Sequence, residues 1–430
     1  MIQRIKEFAS KLYRIGFAHI FTTSVINKLL SLVTNVVIVR VISKSDYGLY
    51  SYAYNILTMA LIVSDLGTRM ARFQYCCETG NAAERRAITL FLTRIGTVSN
   101  VVFSIGTFLY ATFLPLSMPG GKLALQMLSF VYLLQFFYDQ TCYGFRIEKD
   151  NQHYAFLTNI NSAGYTVLVC VGAWLFGIPG LVVGRYISFM IPIAIGVVWL
   201  RKHKTGTSAE SVTLSADRKM EMVKYGLLIV LTNSVSSVLG YFDTYLVGRI
   251  VTDELVLADY KAATVIPHAL NFIPACCMTM IYPYFVEHQN DNKWIIRNTH
   301  KIQLFLGPIS FFISLGGFVF APFIIWLVFG EQYSTAVPVF RIMMLSFFIS
   351  SSFRIPFGNI LGMLHLVKVN FWLSLAECII NIAADILLIQ RYGSIGAAYA
   401  TLFITVLSSL LSGTYFHLFL NKRINYRKEI

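Results

Sequence analysis

The chain has 430 residues, 56% of them hydrophobic and 13% charged, with a mean hydropathy of +0.63. Soluble domains carry roughly 25% charged residues, so this composition excludes a soluble globular domain and points to an integral membrane protein. Its 35 Lys and Arg against 21 Asp and Glu leave a formal charge of +14, and the placement of that charge decides between nucleic acid, anionic lipid and membrane topology.

Residues 1–15 alternate Ile5, Phe8 and Leu12 with Arg4, Lys6, Lys11 and Arg14, a pattern for a short amphipathic helix on the inner leaflet. The apolar run that follows is too long for a signal peptide and has no small-residue cleavage site after it. Segments long enough to cross a bilayer, roughly 20 residues each, fall at 16–42, 47–70, 87–114, 123–145, 154–176, 180–200, 223–250, 258–286, 302–329, 336–364, 369–389 and 395–420. The expected fold is therefore all-α, with about twelve transmembrane helices. Basic clusters such as Arg69, Arg72, Arg85 and Arg86 lie at every second loop and at both ends. This places both termini in the cytoplasm by the positive-inside rule and makes nucleic acid unnecessary as a partner. The longest connection, 201–221, is polar, basic and central, so it reads as a cytoplasmic linker between a lobe at 16–200 and a lobe at 222–420, with 421–430 as a cytoplasmic tail.

Within the first span, Ser24, Lys28, Ser31 and Asn35 recur at spacings of four, three and four, one narrow face of a helix. An ammonium at that depth costs at least about 2.5 kcal/mol, so Lys28 is expected to face a cavity or a partner. Other spans carry similar stripes: Tyr47, Tyr54, Thr58 and Asp65; Tyr132, Gln135, Asp139, Tyr143 and Arg146; Tyr154, Thr158, Asn161 and Tyr165; Tyr260, Thr264, His268 and Asn271; and Asn370, Ser374, Glu377, Asn381 and Asp385. Single stripes often only bond neighbouring helices. Six together favour a shared aqueous lumen.

The two halves look duplicated. Gly177 and Gly393, each just before a span, are in register at an offset of 216, and Arg40 and Arg249 close the first and seventh spans at an offset of 209. Each half holds an even number of spans, so the lobes should be parallel repeats about a pseudo-two-fold axis along the membrane normal, with a central cavity between them. Shifting the Lys28 stripe by 209 gives Asn233, Ser237, Gly240 and Thr244, with Asp243 beside it. The lobes should therefore differ in charge.

Asp46-Tyr47-Gly48-Leu49-Tyr50, Ser64-Asp65-Leu66-Gly67, the stretch from Asp243 to Tyr260, and Tyr392-Gly393-Ser394-Ile395-Gly396-Ala397-Ala398 carry a resemblance. The chain resembles the polysaccharide-exporter branch of the multidrug/oligosaccharidyl-lipid/polysaccharide flippase superfamily, and most closely the Wzx-like O-antigen flippases. The resemblance implies a bacterial inner-membrane protein with two rocking lobes. Its substrate would be an undecaprenyl-pyrophosphate-linked oligosaccharide moved from the cytoplasmic to the periplasmic leaflet. Membrane lipids, a polysaccharide polymerase and a chain-length regulator are the partners it adds. Lipid II flippases look similar but hold the lipid tail with two further helices, which leaves the tail path here open.

For that chemistry, Lys28 is the cation best placed by depth to meet a pyrophosphate, with Ser24, Ser31 and Asn35 beside it. Arg94, Arg354, Arg341 and Arg185 are further candidates, although Arg185 and Arg341, nearer span ends, are expected to snorkel to an interface. Tyr54, Tyr165 and Tyr260 suit sugar stacking, and Asp65 and Asp139 join the cavity set. No nucleotide motif is present, so Asp243, Glu377 and Asp385 are candidates to bind a coupling proton or sodium ion, or else to pair with intramembrane arginines. His268 is a weaker relay candidate. No cofactor or metal set is expected, and the seven cysteines read as packing residues. Two alternatives stay open: a drug or cation antiporter of the same superfamily, and an O-antigen polymerase or ligase. The short periplasmic loops speak against the enzyme.

Overall fold

The computed structural model describes residues 17–79, 81–203, 212–364 and 366–426. The amphipathic helix expected over residues 1–15 lies outside the described residues, as do positions 204–211 of the linker and 427–430 of the tail. Among the described residues the chain is helical and has no strand. It forms two compact units, Met1–Ser234 and Val235–Ile430.

In the first unit the helices are α1 (Phe17–Val41), α2 (Lys44–Ser64), α3 (Thr68–Glu78), α4 (Ala82–Phe113), α5 (Lys122–Leu128), α6 (Val131–Ile147) and α7 (Asn151–His203); α8 (Ala216–Ile250) carries the division between the units. Their starts follow from short polar caps. The Ser43 hydroxyl accepts the Asp46 amide at 3.1 Å, and Asn81 Oδ1 accepts the Ala83 amide at 2.9 Å, satisfying donors that the first helical turn leaves open.

The second predicted span is not one helix. Leu66 and Gly67 take positive φ, 50° and 71°, and Asp65 Oδ1 accepts the Gly67 amide at 2.9 Å, so α2 stops and α3 starts at a new angle. The backbone of Gly226 on α8 lies against Gly67: a Cβ on Gly67 would strike the Gly226 carbonyl, and one on Gly226 would stand 2.9 Å from the Leu66 carbonyl oxygen. That contact requires glycine at both positions.

Helix α7 covers two predicted spans. At 53 residues it is far longer than the roughly 20 that cross a bilayer, and it folds back at Gly177, whose φ of 62° and ψ of −138° are open only to glycine. The two arms touch where Gly172 and Gly180 put backbone on backbone.

The second unit holds α9 (Glu254–Leu270), α10 (Phe272–Glu287), α11 (Asn292–Val319), α12 (Ala321–Phe329), α13 (Val337–Ile349), α14 (Ile355–Met363), α15 (Val367–Tyr392) and α16 (Ser394–Tyr426). The eighth predicted span breaks at Asn271 and the ninth at Phe320, while the tenth holds a π-helical turn over Ser350–Arg354. Each of these points lies inside a segment apolar enough overall to read as one span, and backbone geometry locates the break. Helix α15 ends at Gly393, with φ 59° and ψ −138°. The core of this unit gathers Met278, Phe285, Ile295, Phe357, Ile360 and Phe416.

Seven helical stretches among the described residues are long and apolar enough to cross a membrane. Large apolar side chains such as Phe113, Trp174, Leu304 and Phe312 stand exposed, as a lipid solvent allows, while Asn55, Asn100, Asn381 and Asp385 are buried. The chain is a multi-pass helical membrane protein.

Candidate functional site

Each unit buries a polar cluster that joins several helices. In the first, the second arm of α7 brings Arg185 between α2 and the first arm. Arg185 is 7% exposed. Its Nη2 donates to Tyr54 Oη at 2.7 Å and its Nη1 to Tyr50 Oη at 3.2 Å. The guanidinium carbon lies 4.3 Å from the Tyr54 ring centre and 5.1 Å from that of Tyr165. Tyr50 and Tyr54, one helical turn apart on α2, stack at 5.7 Å. No carboxylate pairs with Arg185 among the described residues. Ring faces and hydroxyls stabilise the charge instead, by about 2 kcal/mol for a desolvated cation over a ring. Its Nε has no partner. The snorkelling expected of Arg185 is thus not its conformation: the hairpin at Gly177 turns it inward onto three tyrosines.

In the second unit the cluster is acidic. Asn381 Nδ2 on α15 donates to Asp243 Oδ1 and to Asp385 Oδ2, each at 2.8 Å. The Thr401 hydroxyl on α16 donates to Asp243 Oδ2 at 2.7 Å and lies 3.0 Å from the Ala397 carbonyl. Asp385 is fully buried, and its Oδ1 and the Asn381 Oδ1 have no partner. Two carboxylates are held by one amide, two further oxygens are unsatisfied, and Lys261 on α9 is close enough to act on Asp243. Tyr260 is buried and adds a hydroxyl near Thr401.

The two clusters occupy equivalent places in the repeat. Arg185 and Thr401 stand 216 residues apart, as do Tyr165 and Asn381, while Thr34 and Asp243 are 209 apart and Tyr50 and Tyr260 are 210 apart. Thr34 itself bonds Thr166 at 2.8 Å, tying α1 to α7 as Asp243 ties α8 to α15 and α16. The cluster of the first unit is built on an arginine, and that of the second on two carboxylates with Lys261 nearby. Thr401 was not singled out by sequence reasoning, because a hydroxyl in an apolar helix is unremarkable. Its register with Arg185 was the available signal.

The remaining candidates are dispersed. Lys28, Ser31 and Asn35 are exposed on α1, and Asn35 Nδ2 donates to the Ser31 carbonyl at 2.7 Å. The side chains of Ser24, Asn233 and Ser237 lie outside the described residues. Arg94 is exposed on α4. Asp65 and Asp139 meet at Arg69, with Asp139 Oδ2 2.5 Å from Arg69 Nη1 and Asp65 Oδ2 3.7 Å from its Nε. Glu377 is buried and lies 3.5 Å from Arg354 Nη2. His268, Arg354 and Thr401 line a cavity of about 60 Å³ beside the acidic cluster. Arg341 donates to the Phe318 carbonyl at 3.2 Å.

The profile of a family described as polysaccharide biosynthesis protein matches residues 15–289, more than half of the chain. A protein of Shigella flexneri named as an O-antigen transporter is 26% identical over 188 residues, which span 44% of this chain and 44% of that protein. The fold is similar to an inward-facing multidrug resistance MATE family transporter of the MOP superfamily, with a TM-score of 0.77 and 10% identity over 93% of this chain and 96% of that one. It is also similar to the lipid II flippase MurJ in an inward closed conformation, with a TM-score of 0.73 and 13% identity over 91% of this chain and 86% of that one.

Proposed function

Because the chain belongs to the polysaccharide biosynthesis protein family, we propose that it is a flippase for a lipid-linked oligosaccharide. The substrate is an undecaprenyl-pyrophosphate-linked repeat unit of O-antigen or a similar surface polysaccharide, moved from the cytoplasmic to the periplasmic leaflet of a bacterial inner membrane. The O-antigen transporter of Shigella flexneri supports this reading by sequence, and the likeness to a lipid II flippase supports it by fold. The observation that carries it within the chain is Arg185, a buried cation ringed by Tyr50, Tyr54 and Tyr165. A guanidinium fork suits phosphate oxygens, and tyrosine faces and hydroxyls suit sugars. Lys28, exposed on the face of its stripe, supplies a second positive charge.

Transport needs a driving force, and the acidic cluster is the coupling site in this reading. A proton or sodium ion bound by Asp243, Asn381, Asp385 and Thr401 offsets two buried carboxylates in one state of the cycle and leaves in the other. Both termini are cytoplasmic, the chain forms no covalent intermediate and is not an enzyme, and a polysaccharide polymerase and a chain-length regulator take over the product. A cation-exporting antiporter of the same fold fits less well, since the buried cation of the first unit would repel its cargo.

The test is complementation of a flippase-null strain. Arg185→Ala and Lys28→Ala, expressed at wild-type levels, should each fail to restore surface polysaccharide. Full restoration by Arg185→Ala would remove the basis of the proposal.

A further inference from the structure

Away from both clusters, the first unit has a cavity of about 570 Å³ lined by Arg72, Arg85, Arg86, Glu148, Ile147 and Leu200, among others. Arg72, on α3, is 8% exposed. Its Nη1 donates to the Gln140 carbonyl at 2.8 Å and to the Gln140 Oε1, and its Nε has no partner. Gly144 on α6 faces it, so close that a Cβ there would stand 3.5 Å from Arg72 Nη2.

Helix α4 adds the other two cations. Arg85 Nε donates to the Thr79 carbonyl at 2.8 Å, and Arg86 is exposed. Among the described residues no ion pair reaches any of the three arginines. The neighbouring carboxylates are otherwise engaged: Glu84 accepts the Thr79 hydroxyl at 2.5 Å, and Glu78 accepts Gln74 Nε2 at 2.7 Å. Glu148 alone lines the cavity as an anion. Burial holds the Arg72 guanidinium below its ordinary value, yet an arginine keeps its charge at neutral pH. Three cations against one exposed carboxylate leave an excess of positive charge at the cavity.

We propose that this cavity binds a phosphate ester, with Arg72 as the fixed buried donor and Arg85 and Arg86 closing on the remaining oxygens. Paired guanidinium forks match phosphate geometry, and a buried donor binds an anion more strongly than one in water does. Ile147 and Leu200 on the wall suit the first carbons of a lipid tail, and the positive-inside rule assigns this loop to the cytoplasmic face. Two sources carry the chemistry: the headgroup of an anionic membrane lipid, and a soluble phosphate. The site is independent of the cargo proposed above, so its failure would leave the transport reading standing.

The full chain, purified in detergent, is titrated with inorganic pyrophosphate while thermal unfolding is followed. In parallel, it is reconstituted in phosphatidylcholine nanodiscs with or without phosphatidylglycerol, and retained lipid is read by native mass spectrometry. R85Q/R86Q changes two solvent-accessible side chains and should fold, whereas R72Q tests the buried donor. R297Q/K301Q, in the other unit, removes the same charge elsewhere. Wild type should bind at least one probe, and R85Q/R86Q should weaken that binding about tenfold or more, as the loss of charged hydrogen bonds predicts. A pyrophosphate effect marks a soluble ligand, and selective retention of phosphatidylglycerol marks a lipid. If wild type binds neither probe, or if R85Q/R86Q binds as wild type does, or if R297Q/K301Q weakens binding equally, the cavity is not a phosphate site.

Discussion

Gly177 and Gly393 turn the chain in the same way: φ and ψ are 62° and −138° at the first and 59° and −138° at the second. The likeness extends past the turn. A Cβ on Gly180 would strike the Gly172 carbonyl, and one on Gly396 would strike the Leu388 carbonyl, again 216 residues further on. One hairpin therefore occurs twice in the sequence, and each copy delivers its second arm to a polar cluster.

Alanine at either turn should destabilise the protein to a similar extent. Backbone values open only to glycine cost an L-residue about 1–3 kcal/mol. Gly177→Ala and Gly393→Ala should lower the unfolding temperature of the solubilised protein together. Gly307→Ala, in the interior of α11 with nothing within 4 Å of its Cβ, should leave it unchanged or raised. Equal tolerance at all three sites would contradict the strain argument.

Asp139 supports the structure through Arg69. Their contact of 2.5 Å has the arginine side chain 34% exposed, so solvent screens part of it and Asp139→Asn should cost roughly 1–2 kcal/mol. Flipping by this variant should fall in proportion to the amount of folded protein. A loss of flipping at wild-type abundance and unfolding temperature would instead show that Asp139 touches cargo.

The acidic cluster predicts a separation of transport from its driving force. Asp243→Asn and Asp385→Asn each remove one of the two charges that a coupling ion would offset. In vesicles, wild-type flipping should respond to an imposed proton or sodium gradient, and both variants should lose that response. Thr401→Val, which removes a hydroxyl 2.7 Å from Asp243, should weaken it. Gradient-independent flipping by wild type would make the cluster structural.

Arg354 and Glu377 offer a double-mutant cycle. Glu377→Gln leaves a cation beside the small cavity without its partner at 3.5 Å, and partial exposure of Arg354 limits the cost to roughly 1–3 kcal/mol. Arg354→Gln/Glu377→Gln should recover part of the loss, and the recovery measures the coupling. Additive losses would mean that the two do not interact.

Much of this was legible in the amino-acid string. The stripe of Lys28, Ser31 and Asn35 lies on one exposed face because helical periodicity fixes it, and the two hairpin glycines were already in register. The break at Phe320 was not legible, since an apolar run reads the same whether or not its helix stops, whereas Asp65 and Gly67 sit openly at theirs. The burial of Arg185 was not legible for a related reason. Depth along a span suggested an interface, but burial depends on which helices close around it, and Tyr50 and Tyr54 come from more than 130 residues away. Lys28 suggested an opposition of charge between the halves; the first unit buries Arg72 and Arg185, and the second buries Asp243 and Asp385.

The π-helical turn at Ser350–Arg354 bears on more than its own five residues. Regular winding advances about 100° per residue, so one surplus residue resets the phase of everything that follows. Phe357, Ile360 and Leu361 reach Phe416 in the core at the phase this surplus gives them. Deleting any one of Ser350, Ser351 or Ser352 would leave composition and hydropathy almost untouched, yet it would swing α14 by more than a quarter turn and carry those three side chains away from their packing partners. The serine triplet is thus a frame marker, and its length matters more than its identity.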